Sequence, residues 1–182
     1  MLFTRSVSKA DSKEKTSGRK ERKANHPMSQ INIQDKIVVN APIDKAWEAI
    51  RDPAIHAEWH PFVTHIRGEH QLGAVRKCDV NIGNKPGHTE ERCALYEEGR
   101  KIMWLIQSDS TGFSRMVSDW TAGYSLESRD PNSTHVMAQS IFRPKNFLVR
   151  LMVPMIKGRF HQTQQIILSR LKQFVEKQQG QS

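Results

Sequence analysis

The sequence predicts an α+β fold in which a curved antiparallel sheet wraps around one long C-terminal helix. Three observations lead there. Residues 37–61, IVVNAPIDKAWEAIRDPAIHAEWHP, read as the end of a strand followed by two short helices. From residue 62 to 143 the apolar period is two, interrupted by turn residues. Residues 146–176 place apolar side chains mostly three or four apart, the stripe of an amphipathic helix. This order of elements leaves a cavity between sheet and helix, and so points to a protein that holds an apolar molecule.

Each element has a local reason. Ile31, Ile33 and Ile37-Val38-Val39 supply the β-branched residues of a first strand. Pro42 ends it and suits the first position of a helix, whose Ile43, Ala46, Trp47 and Ile50 form one apolar stripe. Pro53 opens a second helical turn that runs through Trp59 and stops at Pro61. Strands are then expected at 62–67, 74–82, 88–96, 101–107, 116–126 and 134–143. Residues 83–87, Gly-Asn-Lys-Pro-Gly, form the densest turn signal between them. Ile102, Trp104 and Ile106 share one face, as do Met116, Ser118, Trp120, Ala122, Tyr124 and Leu126, and again Val136, Ala138, Ser140 and Phe142. Residues 108–114 read as a polar loop. Pro154 removes a backbone donor inside the last helix and should kink or restart it.

The 182 residues suit one domain with a tail. Residues 1–27 hold eight Lys and Arg against three acidic residues, a net +5 of the chain's +9, which leaves +4 for residues 28–182. The first segment has too few large apolar side chains to offset its ordering entropy and reads as a disordered basic tail. A solvated tail is preferred over an arm that touches nucleic acid or anionic lipid, so no nucleic-acid partner is expected. Residues 28–182 are expected to form the ligand-binding domain. No apolar run approaches the ~20 residues of a membrane span, and no apolar stretch follows Arg5 as a secretory signal requires. Two cysteines are too few for a disulfide framework, and the expected setting is cytoplasmic.

Several of these pieces together resemble the START-like superfamily, also called SRPBCC, and within it the polyketide cyclase/dehydrase-like branch. They are Val39-Asn40-Ala41-Pro42 with Ala46-Trp47, the Asp52-Pro53 turn, Trp59-His60-Pro61, Glu91-Arg92, Gly99-Arg100 and the exit from Phe142 through Pro144 into the closing helix. The resemblance runs from about Ile31 to Glu176. It implies a helix-grip fold: a seven-stranded antiparallel sheet around the C-terminal helix, with a hydrophobic cavity. It carries no shared catalytic motif, so it assigns no catalytic residue.

The expected cavity wall takes Cys78, Val80, Glu91, Cys93, Trp104, Ile106, Trp120, Tyr124 and Ala138 from the inward faces of the strands. Trp59 and His60 stand at the mouth, and Leu148, Met152 and Ile156 cap it from the helix. A hairpin turning about Lys85-Pro86 would pair Cys78 with Cys93 and put Glu91 and Arg76 on the same face. Core packing of two small thiols is preferred there over a disulfide. Glu91 could orient a ligand hydroxyl or act as a base, or pair with Arg76. His56 and His60 are four apart, but Ala57 stands where a zinc-protease helix needs Glu. No metal and no cofactor are expected.

Two functions follow. The first is a carrier that binds a small hydrophobic molecule, a lipid, polyketide or aromatic. The alternative is a cyclase/dehydratase-type enzyme in which Glu91, His60 or Tyr124 moves protons on a ligand held in the same cavity. A third, an interaction protein acting through the basic arm, has only the tail's charge behind it.

Overall fold

The computed structural model describes residues 29–180, so the expected basic tail lies outside the described residues. The chain runs β1 (Ile31–Val39), α1 (Ile43–Arg51), α2 (Pro53–Trp59), β2 (Val63–Arg67), β3 (Val75–Ile82), β4 (Lys85–Glu97), β5 (Lys101–Asp109), α3 (Phe113–Met116), β6 (Val117–Asp130), β7 (Ser133–Pro144), α4 (Phe147–Leu151) and α5 (Val153–Gln179). The seven strands form one antiparallel sheet in the order β1-β7-β6-β5-β4-β3-β2, the expected helix-grip arrangement. Hairpins account for every neighbour pair except β1 with β7, which α1, α2 and the meander separate in sequence.

The helix ends follow their residues. Pro42 is the N-cap of α1 rather than its first residue. Asp52 caps α2: its carboxylate accepts from Ala54 N at 2.8 Å and Ile55 N at 3.3 Å, with Pro53 in the first turn. Pro154 lies in the first turn of α5, so the closing helix restarts as expected, after the short α4.

Two apolar clusters fix the closing helix to the sheet. Leu168, Leu171 and Val175 join Trp47, Ile50, Trp59, Ile102 and Trp104 in the larger one. Val149 and Ile156 join Ile33, Val117 and Phe142 in the other. Burying a Leu or Phe side chain contributes roughly 1.5–3 kcal/mol.

Three local readings are corrected. The β3–β4 hairpin turns at Gly83-Asn84, not at Lys85-Pro86, because both residues adopt positive φ (59° and 62°), as a two-residue hairpin turn with the twist of its strands requires. Cys78 therefore faces Thr89, and Arg76 faces Glu91; Cys78 and Cys93 are not cross-strand neighbours. Both thiols are free and buried. The pairing moves by an even number of residues, so every side chain keeps its face. Second, Met116 belongs to α3 and β6 begins at Val117. A bulge between Ser118 and Thr121, with Asp119 at φ 53°, inserts one residue. Val117 and Trp120 consequently meet in one cluster although they are three apart. Third, the 108–114 segment is not all loop: Asp109 ends β5, and its carboxylate accepts from Phe113 N (3.2 Å) and Ser114 N (2.7 Å), starting the turn of α3.

Candidate functional site

Between the concave face of the sheet and α5 lies a cavity of about 450 Å³. Strands contribute Val80, Trp104, Trp120, Ala122, Tyr124 and Ala138 to its wall. From α5 come Phe160, Thr163, Gln164 and Ile167, and from α2 His56, with His60 just after it. Gly123 also borders it; a Cβ there would collide with the Ile102 carbonyl, so the position accepts no larger side chain.

One end is polar and is organised by a backbone carbonyl at the end of α1. Ile50 O lies 3.2 Å from His56 Nδ1 and 3.2 Å from His70 Nδ1. A carbonyl only accepts, so both rings carry their proton on Nδ1 and leave Nε2 as an acceptor. His70 Nε2 takes a hydrogen bond from Arg76 Nη1 at 2.6 Å. The rest of the Arg76 fork goes to Glu91: Nε donates to Oε2 at 2.8 Å and Nη2 to the same oxygen at 2.6 Å. Thr89 Oγ1 donates to the other carboxylate oxygen at 2.7 Å. The guanidinium lies 3.6 Å from the centroid of the Trp104 ring, a cation–π contact inside the protein. Arg76 is 5% exposed, so this pairing is what makes its burial tolerable.

The imidazoles are held neutral. Burial, and then the charge of Arg76, lowers His60 and His70 to about 3. His56 is pushed well below the ordinary histidine value by burial and by His60. His60 Nδ1 accepts from Phe62 N (3.3 Å) and Val63 N (3.1 Å), which leaves Nε2–H as a donor. Burial raises Tyr124, so its phenol stays protonated at neutral pH.

At the other end the surroundings are aromatic. Phe113 meets Trp120 edge-on at 4.9 Å between centroids, and Phe142 and Phe160 complete the group. The indole N–H groups of Trp104 and Trp120 are buried without a hydrogen-bond partner among the described residues. Buried donors are normally paired, so these two stand out.

Of the residues singled out in the sequence, His60, Val80, Glu91, Trp104, Trp120, Tyr124 and Ala138 border the cavity. Trp59 does not: it is core, with its N–H on Ala49 O at 2.7 Å. Cys78 packs with Ile66 and Val80, and Cys93 sits in the main cluster. Burial pushes the Cys78 thiol up to about 11 and raises Cys93 as well, so neither is a thiolate. Ile106 is buried opposite Glu91 but outside the cavity wall. The cap expected from α4 and α5 is displaced: Leu148 and Met152 are exposed, and Ile156 packs into the Phe142 cluster. Residues one turn or more further along α5, Phe160 to Ile167, take that place. The sequence pattern does not single out His70, Gln139 or Arg159. His70 lies in the loop between β2 and β3, where no periodicity marks it. Among the described residues no cluster of His, Cys, Asp and Glu is arranged to hold a metal ion.

No curated protein matches the sequence. Solved structures match it in fold. An aromatase/cyclase, Zhui, from a Streptomyces species superposes with a TM-score of 0.64 at 16% identity, over 81% of this chain and 94% of that one. A START superfamily protein from Mycobacterium smegmatis gives 0.65 at 16%, over 80% and 97%. Norcoclaurine synthase from Thalictrum flavum, solved with dopamine and hydroxybenzaldehyde, gives 0.63 at 14%, over 82% and 88%. A family model described as polyketide cyclase / dehydrase and lipid transport matches residues 30–176. With this fold and that match over most of its length, the chain belongs to the polyketide cyclase / dehydrase and lipid transport family.

Proposed function

We propose that the protein binds a small hydrophobic molecule, a lipid, polyketide or aromatic, in the cavity between the sheet and α5. The observation that carries this reading is a mainly apolar cavity of about 450 Å³ with two unpartnered indole donors at its wall. That volume falls within the roughly 300–1,000 Å³ of small-molecule pockets. A ligand burying about 300 Å² of apolar surface would gain on the order of 7 kcal/mol at ~25 cal/mol per Å². Acceptor oxygens on the ligand would satisfy the indoles, the His60 Nε2–H and the Tyr124 hydroxyl. The test is native mass spectrometry of protein purified from its own host, with a thermal-shift panel of lipids, aromatics and polyketides. A stoichiometric apolar adduct, lost in Trp104→Ala, is the expected result. An empty protein that no member of the panel stabilises would overturn it.

The enzyme reading keeps one specific support: His60, Glu91 and Tyr124 border one cavity. Their states favour donation and orientation over proton abstraction. Glu91 is engaged by Arg76 and Thr89, and His60 offers N–H rather than a lone pair. The free imidazole lone pair is that of His56 Nε2, buried at the cavity wall. Turnover of an added poly-β-keto substrate that falls in His56→Gln while binding persists would support catalysis; binding without turnover would leave the carrier.

A further inference from the structure

The start of the closing helix is apolar on two sides, and only one side serves the core. Val149, Ile156 and Phe160 face the sheet. Phe147, Leu148, Leu151, Met152 and Met155 are 67, 71, 62, 40 and 51% exposed. Met152 stays right-handed helical between α4 and α5, at φ −82° and ψ −8°. At about 100° per residue those five fall within an arc of about 140°, and the three core-facing residues take the arc of about 40° beside it. Met116, also exposed, adjoins them, since Lys145 N donates to Met116 O. A charge pattern accompanies the stripe. Residues 131–175 contain seven Lys and Arg and no Asp or Glu. Arg150 and Lys157, which flank the apolar positions, are exposed and make no ion pair among the described residues. The nearby Asp119 is held by Arg143 at 2.6 Å.

We infer that this face docks on an anionic lipid bilayer, with Phe147, Leu148, Leu151, Met152 and Met155 entering the interface and Arg150 and Lys157 meeting the headgroups. A surface-lying helix of this kind combines apolar burial with cations at the polar boundary. A second copy of the chain is the poorer occupant, because it would bring two acid-free basic segments together. The inference stands whether or not the cavity holds a ligand.

The test is co-sedimentation of the full chain with large unilamellar vesicles of phosphatidylcholine alone or with 30% phosphatidylglycerol, together with its oligomeric state by light scattering. Binding to the phosphatidylglycerol vesicles, weakened by raised salt, is expected. Leu148→Asp/Leu151→Asp should lower partitioning at least roughly tenfold with an unchanged melting temperature, since both sites are exposed. Should that variant melt early, Arg150→Glu/Lys157→Glu must show the same loss. Binding unaffected by either pair, binding only through residues 1–27 in a truncation, or a dimer that these substitutions split would each overturn the inference.

Discussion

At the α2 end of the cavity, Arg76, Glu91, His56 and His70 hold one another through hydrogen bonds that converge on Ile50 O. At the α3 end, Phe113, Trp120, Phe142 and Phe160 meet ring to ring. The first network is directional: each member satisfies a buried neighbour, and removing one strands the next. The second is held by area and shape, where losses scale with what is removed. Trp104 belongs to the polar end, packed under the Arg76 guanidinium and edge-on to His56 and His70, with its own N–H left over. The polar end therefore sets geometry and the aromatic end supplies room.

The contrast between the two ends is open to direct test. Arg76→Ala should have the largest effect, a loss of about 3–5 kcal/mol in denaturant unfolding, because the largely enclosed Glu91 carboxylate, with a side chain 12% exposed, is left without its partner. The double variant Arg76→Met/Glu91→Leu should recover most of that loss. A double variant no better than the single one would refute the coupled reading of the polar end.

Acid comes next. His60 and His70 have folded-state values lowered to about 3 against an ordinary 6.5. Below pH 6.5 the unfolded chain binds protons that the folded chain does not, so stability falls as pH drops from 6.5 toward 3. At pH 5 each contributes a loss on the order of 2 kcal/mol. His70→Gln should flatten that slope in melts between pH 7 and 5, whereas Phe113→Leu at the aromatic end should leave it unchanged.

The smallest effect on stability is expected at Trp120. Trp120→Phe keeps most of the ring contact and removes an unpartnered donor, so unfolding should change by less than about 1 kcal/mol. Retention of a ligand bearing an acceptor oxygen should fall more than stability does. Equal effects on both would assign Trp120 to packing alone.

The corrections share a pattern. The residues alternating in β3 and β4 reveal which side chains share a face, and that survived an error in the turn because the shift was even. They do not reveal partners, which depend on Gly83 and Asn84 both taking positive φ. The bulge at Asp119 was hidden because Met116, Ser118 and Trp120 alternate perfectly on paper. The α4–α5 stripe is legible as apolar, but helical spacing is blind to which side meets the sheet.

The succession of elements, the inward faces of most strands, the restart at Pro154 and the aromatic candidates Trp104 and Trp120 are legible in the order of residues. These are local matters of period, proline geometry and β-branching. That Ile50 O gathers His56 and His70, that Arg76 opposes Glu91, and that Leu148 and Met152 face outward are visible in the three-dimensional packing alone. Those depend on sheet register and on the angle at which a restarted helix crosses the sheet, both set by contacts between residues far apart in sequence.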